Sequence, residues 1–173
     1  NIDGLPMIQH VVNVFDVQDD FHFIVNTEQI DEHPEIVKIL NSITKKTHLT
    51  VIEPHELGPA YSAVQVTRIP DHAETIISYC DFIVDWNYNA FKRQVYGYDG
   101  AIPAFSGIHP ASFGDTYYAY MRINEHKEML ELREKNSFTN TRHEEPASAG
   151  IYYFRNWRLF HRYTNHLLKN GFE

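Results

Sequence analysis

The chain holds one cysteine in 173 residues. No disulfide can therefore form within it, and a reduced, cytoplasmic setting is the expectation that follows. It has no apolar run near the ~20 residues of a membrane-spanning helix, and its first residues do not resemble a signal peptide. A soluble protein without a membrane partner is expected. Positive charge is scarce: 15 Lys and Arg stand against 23 Asp and Glu, for a formal net charge of −8. The bases are scattered rather than striped, and a phosphate backbone needs a basic face, so nucleic acid is not an expected partner. An anionic small ligand stays compatible, because a few cations focused inside a cleft can outweigh the mean field of the surface. Three motifs are missing as well: G-x-G-x-x-G, G-x-x-x-x-G-K-[ST] and the nucleophile elbow. Their absence removes the dinucleotide fingerprint, the P-loop and the serine-hydrolase elbow. The eleven histidines fill no zinc pattern, since none pair at i, i+4 and none combine with cysteines; they read as surface or packing residues.

A chain of this length can bury a core by itself, and no internal repeat or low-complexity linker divides it, so one domain over residues 1–173 is expected. Pro6 followed by Met7, Ile8, Val11, Val12 and Phe15 predicts a helix from about Pro6 to Phe15. Phe21 to Val25 and His48 to Ile52 have the length and apolarity of strands, with an amphipathic helix from Pro34 to Ile43 between them. Gly58-Pro59 can open a helix rich in small residues. Thr75 to Cys80 reads as a central strand buried on both faces and ending at Asp81, and Tyr88 to Tyr96 as a helix. Beyond Gly97, strands are expected at Ala101 to Phe105, Tyr117 to Ile123, Met129 to Arg133 and Ala149 to Phe154. The second and third of these form a hairpin. His109 to Asp115 and Ser137 to Pro146 read as loops, the latter polar and mobile, and Trp157, Phe160, Thr164, Leu167 and Leu168 mark a closing helix. Alternating strands and helices predict a three-layer α/β/α architecture with a mixed, mostly parallel sheet.

Four spaced elements could carry chemistry. Gly58-Pro59-Ala60 lets a ligand approach backbone closely. Asp81 falls at the carboxyl end of a strand, the edge where open α/β sheets bind ligands, although an aspartate there also suits a turn or a cap. Lys135 is a point charge suited to phosphate, and Glu134 could accept from sugar hydroxyls, although such a pair is also common on solvated surfaces. Ala149-Gly150 opens the last strand.

The order of these elements resembles the sugar-1-phosphate nucleotidylyltransferases of bacterial polysaccharide pathways. DGLPMIQHVV looks like that family's helix entry, GPAYSAV like its base-binding loop and SYCDFIVDW like the strand ending in its metal-binding aspartate. HPASFGDTYYAYMRI, REKNS and ASAGIYYF are similar to its sugar-binding part. The resemblance covers nearly the whole chain. It implies the nucleotide-diphospho-sugar transferase fold, with a nucleotide-binding half over 1–98 and a sugar-binding half over 99–173. It implies that Glu53 and Gly58 lie beside the nucleobase, that Asp81 binds Mg²⁺, and that Lys135 holds the sugar phosphate. Asp81 and Lys135 would be the catalytic pair. Ala119 would offer a backbone N–H to the sugar, Glu134 would hold its hydroxyls and Gly150 would line the same pocket, with Asp85 a secondary candidate. The implied partners are a nucleoside triphosphate and a sugar-1-phosphate, and a homo-oligomer is compatible.

The family's first strand, G-x-G-x-R loop and catalytic lysine have no counterpart here, nor does its second metal-binding aspartate near a G-T-P motif. Leu5 stands where many relatives have lysine. The resemblance thus implies a chain trimmed at both ends, expected to fold and bind but not to turn over alone. Two other readings stay open: a glycosyltransferase of the same fold, whose compact D-x-D is not matched by Asp81 and Asp85, and a non-catalytic nucleotide-binding or regulatory domain.

Overall fold

The computed structural model describes residues 2–108 and 118–171, and the chain divides into two compact units, Asn1–Gly100 with Tyr153–Glu173 and Ala101–Tyr152. In the first unit Pro6 precedes helix α1 (Met7–Val12), which is shorter than the apolar spacing predicts. Val14 and Phe15 donate instead to the carbonyls of Val11 and Val12, tightening the chain into a turn and freeing the Phe15 ring. That ring meets Phe21, Trp86 and Tyr88 edge-on at 6.5, 5.8 and 5.5 Å. Each such pair adds roughly 0.5–1.5 kcal/mol to the burial of the rings. Trp86 Nε1 donates to the Val14 carbonyl at 2.8 Å and the Tyr88 hydroxyl to Asp19 at 2.7 Å, so both polar tips of the cluster are satisfied.

Strands β1 (Phe21–Asn26) and β2 (Thr47–Ile52) pair in parallel, with Phe21 opposite Thr47 and Asn26 opposite Ile52. A parallel pair needs a crossover, and here it is two helices, α2 (Thr27–Glu32) and α3 (Glu35–Ile43). Periodicity does not disclose α2, because TEQIDE has no apolar face. Its signal is a capping box: the Asn26 side chain accepts from the Gln29 N–H at 2.8 Å, and the Gln29 side chain accepts from the Asn26 N–H at 3.0 Å. Helix α4 (Gly58–Val64), strand β3 (Thr75–Ser78) and helix α5 (Tyr88–Val95) follow. Helix α6 (Trp157–Asn170) closes the unit. Trp157 and Phe160 bury against Ala63 and Val66, flanked by Ile24, Ile77 and Phe154.

The chain passes between the units within β4 (Gly100–Ala101) and β9 (Ile151–Phe154), which form a three-stranded sheet in the order β3-β9-β4. The second unit holds β5 (Ala104–Phe105), β6 (Ala119–Ile123), β7 (Met129–Glu134) and β8 (Ala147–Ser148), in the order β5-β8-β6-β7. Ala119, Tyr120, Met121, Ala147, Ser148 and Ile151 are buried in it, each under 9% exposed. The expectation of a mostly parallel sheet is overturned here: β5 with β8, β6 with β7 and β6 with β8 all pair antiparallel. The turn from Asn124 to Glu128 is too short for a crossover and allows only antiparallel pairing. The run from Ala101 to Phe105, expected as one strand, is split in two, and the strand expected from Ala149 to Phe154 begins only at Ile151. Pro103 lacks the N–H a ladder requires and its carbonyl accepts from Ala149 at 2.9 Å, which separates β4 from β5. Gly150, at φ +68°, turns the chain between β8 and β9. Among the described residues, no helix is long and apolar enough to cross a membrane.

Replacing Phe160, 4% exposed, should empty the seam between α4 and α6. Phe160→Ala is expected to cost about 3–5 kcal/mol in urea unfolding; a loss near ~1 kcal/mol would mean that this cluster does not hold α6.

Candidate functional site

In the first unit the candidates cluster where strands run out. Thr27 directly follows β1 and Glu53 directly follows β2, and the Thr27 hydroxyl donates to Glu53 Oε2 at 3.3 Å. Because the two strands are parallel, both carboxyl ends face one edge, and the exposed Glu53 sits there. The loop from Glu53 to Gly58 is shaped by His55. The Leu57 N–H donates to His55 Nδ1 at 3.1 Å, so the ring carries its proton on Nε2 and gives it to Ser62 Oγ at 2.9 Å. Gly58 opens α4 at φ +82°, with nothing within 4 Å of where a Cβ would stand. Its requirement is conformational rather than steric.

Asp81 is placed differently from the sequence expectation. Strand β3 stops at Ser78, its Ile76 and Ile77 are only partly buried, and Cys80 is exposed rather than in the core. Asp81 and Asp85 are both exposed, in the irregular stretch before Asn87 caps α5 by accepting from Ala90 at 2.9 Å. The Ser78 hydroxyl donates to the Tyr79 carbonyl where the strand stops. Among the described residues, no three His, Cys, Asp or Glu converge as a metal cage. Mg²⁺ does not need one, since it takes one or two carboxylates and fills its shell with water and substrate phosphates. A single exposed Asp81 fits that mode of binding.

In the second unit the hairpin brings three candidates together. Ala119 stands opposite Glu134, and the Lys135 N–H donates to the Tyr118 carbonyl at 3.0 Å. The Ala119–Glu134 pair is therefore the non-hydrogen-bonded kind, with side chains close together and the Ala119 N–H pointing away from β7. Lys135 leaves the strand at φ +53°, an uncommon conformation for a residue with a Cβ. Gly150 is buried, and its N–H donates to Ser148 Oγ at 3.1 Å. The loop His109 to Asp115, and Tyr117, lie outside the described residues.

Sequence reading missed what holds the chain after Lys135. Ser137 to Pro146, expected to be mobile, is pinned by Glu145, which accepts from the Phe138 N–H at 2.8 Å and from both the Thr139 N–H and hydroxyl at 2.6 Å. The Phe138 ring lies 4.5 Å from the Arg122 guanidinium and 4.3 Å from that of Arg133. Burial alone would raise the Glu145 carboxyl, but the bonds from Thr139 and Phe138 outweigh it and hold the group below its ordinary range. A carboxylate held low stabilises the fold above about pH 4.3 and loses that contribution as the pH falls through its lowered pKa. Glu145→Gln should therefore cost about 1 kcal/mol at neutral pH, with the gap from wild type closing in acid. Thermal unfolding across pH measures this, and a gap independent of pH would refute the role.

No protein-family model matches the sequence, and no curated protein matches it. Among solved structures, the chain is similar to a nucleoside-diphosphate-sugar pyrophosphorylase from Vibrio cholerae RC9, with 15% identity and a TM-score of 0.68 over 99% of this chain and 69% of that one. It is also similar to HddC from Yersinia pseudotuberculosis, with 13% identity and a TM-score of 0.60 over 86% of this chain and 61% of that one. The chain thus spans about three-fifths of HddC. At such identities the likeness shows the fold alone: the chain shares the mixed α/β arrangement of these two structures.

Proposed function

We propose that the protein is a sugar-1-phosphate nucleotidyltransferase, joining a nucleoside triphosphate to a sugar-1-phosphate with release of pyrophosphate, in bacterial surface polysaccharide synthesis. The observation that carries the reading is the hairpin register, which sets Ala119 of one strand beside Glu134 and Lys135 at the end of the other. The similarity to a structure described as a nucleoside-diphosphate-sugar pyrophosphorylase supports it from a second side. In this reading residues 1–98 serve the nucleotide and 99–173 the sugar phosphate.

The reaction is attack by a sugar-phosphate oxygen on the α-phosphorus of the triphosphate, with pyrophosphate as the leaving group. Such chemistry is carried by positioning and charge neutralisation rather than by a nucleophilic side chain. Glu53 and Gly58 would bracket the base, the glycine admitting it close to backbone. Lys135 would neutralise the sugar phosphate, Glu134 would accept from hydroxyls, and Ala119 and Gly150 would shape the pocket wall. Asp81 would hold Mg²⁺, which supplies charge neutralisation at the phosphates when bound.

Pyrophosphate release by the full-length protein, screened with the common nucleoside triphosphates against a panel of sugar-1-phosphates and phosphocholine, tests the proposal. One productive pair is expected. In it Asp81→Asn should lower kcat by about a hundredfold or more, and Lys135→Ala should raise the sugar-phosphate KM about tenfold with triphosphate binding little changed. Silence across the panel would overturn the assignment, and an Asp81→Asn enzyme of near-normal rate would remove the metal role.

A further inference from the structure

Helix α6 is amphipathic in two senses. Trp157, Phe160 and Thr164 are buried, while Arg158, His161, Arg162 and Asn165 form a second stripe at i, i+3, i+4 and i+7, the spacing that stacks side chains on one helix face. This second stripe lines an open cleft of about 540 Å³ whose other wall is the segment between α4 and β3, including Ile69 and Asp71. The volume lies in the range of small-molecule sites. The Arg158 N–H donates to the Asp71 carbonyl at 3.0 Å, so helix and wall are fixed to each other by backbone.

Four cations sit on carboxylates: Lys92 on Asp19, Arg122 and Arg133 on Glu131, Arg155 on Asp99. Arg158 and Arg162 carry no ion pair among the described residues, although the chain has 23 acidic side chains. The contact recorded for the Arg162 guanidinium is the face of Tyr163 at 5.8 Å. Two guanidinium forks and the Asn165 amide make a donor-rich surface that suits a doubly charged tetrahedral anion. Asp71 is an acceptor in the same cleft and would repel an anion unless it took a hydroxyl proton. The partly buried Ile69 and the edge of Trp157 supply a flat apolar wall.

We infer that this cleft is a binding site for a phosphate monoester with a hydroxylated body: the phosphate on Arg158 and Arg162, a hydroxyl on Asp71. It is separate from the residues assigned above to nucleotidyl transfer. Asp71 precedes β3 and Asp81 follows it, and none of the transfer candidates lines the cleft. The inference does not depend on that reaction.

Amide NMR titrations of the protein with ribose 5-phosphate, inorganic phosphate and ribose test the site. Ribose 5-phosphate should shift the amides of residues 158–165 saturably and bind more tightly than phosphate, and ribose should do nothing. Arg158 and Arg162 are both exposed, so R158Q/R162Q should fold normally, as an unchanged spectrum outside the cleft would verify, and weaken binding about tenfold or more. Asp71→Asn should reduce the preference over inorganic phosphate, and Asp81→Asn should leave binding as it was. Unaltered affinity in the double arginine variant, or no saturable shift at residues 158–165 in the wild type, would overturn the site. Equal affinity for inorganic phosphate would overturn its assignment to a hydroxylated monoester.

Discussion

The first unit depends on the burial of Trp157 and Phe160 against Ala63 and Val66. Each large ring removed from water contributes roughly 1.5–3 kcal/mol, and Ile24, Ile77 and Phe154 pack against the same cluster. The position of α6 is then fixed at its start: the N–H groups of Trp157 and Arg158 donate to Ala73 and Asp71, and Asn156 caps the helix through Leu159. Asp71 and Ala73 stand in the loop that leads straight into β3. Burial at the end of the chain thereby sets the entry to the strand that points toward Asp81, and holds α4, at whose head Gly58 stands. These partners are far apart in sequence, so the seam closes only when the chain is nearly complete, and its loop-closure entropy must be met by apolar burial.

The elements that show in the sequence have a periodic buried face or are short apolar runs. The α3 stripe of Ile36, Val37, Leu40 and Ile43 and the α6 stripe of Trp157, Phe160 and Thr164 repeat at the spacing that burial imposes, and the strands at Phe21 and His48 show by apolarity and length. What stayed hidden is held by polar bonds or by a single backbone feature. Helix α2 rests on the Asn26–Gln29 box. The breaks at Pro103 and Gly150 each lie inside an apolar run, where composition favours one unbroken strand. The antiparallel pairing of the second unit follows from turn length, and a hydrophobic count does not register turn length. Cys80 shows the converse error: an apolar run was taken to be buried, whereas β3 ends at Ser78 and the thiol is exposed.

For the candidate site, the identities of Glu134 and Lys135 were legible and their setting was not. Register explains why Ala119 belongs with them, since a hairpin with Ala119 opposite Glu134 also carries Lys135 to the Tyr118 carbonyl. The clamp that follows is invisible in one dimension. Glu145 reaches back to Phe138 and Thr139 across a 3₁₀ turn at Arg142–Glu144, and nothing local in the sequence distinguishes it from the solvated Glu144 beside it. The same holds for His55, whose two ring nitrogens join Leu57 to Ser62 and so fix the approach to Gly58. In both units a side chain absent from the motif fixes the backbone of the motif, as preorganised binding requires.

The groups whose proton affinity the fold shifts bear on what kind of chemistry it can support. The Tyr88 hydroxyl is pushed far up by burial and by its bond to Asp19, and Tyr153 is pushed up to about 12 by burial and by Glu74, to which it donates at 3.0 Å. Glu145 is held low by Thr139 and Phe138. All three have structural partners that hold them in one protonation state around neutral pH, the opposite of a poised acid or base, whose pKa lies near the working pH. They stiffen the frame and do not exchange protons with a ligand. In the proposed nucleotidyl transfer the attacking phosphate oxygen is already an anion and pyrophosphate leaves without being protonated by the enzyme, so what that reaction asks of Lys135 and the exposed carboxylates is position and charge rather than proton transfer.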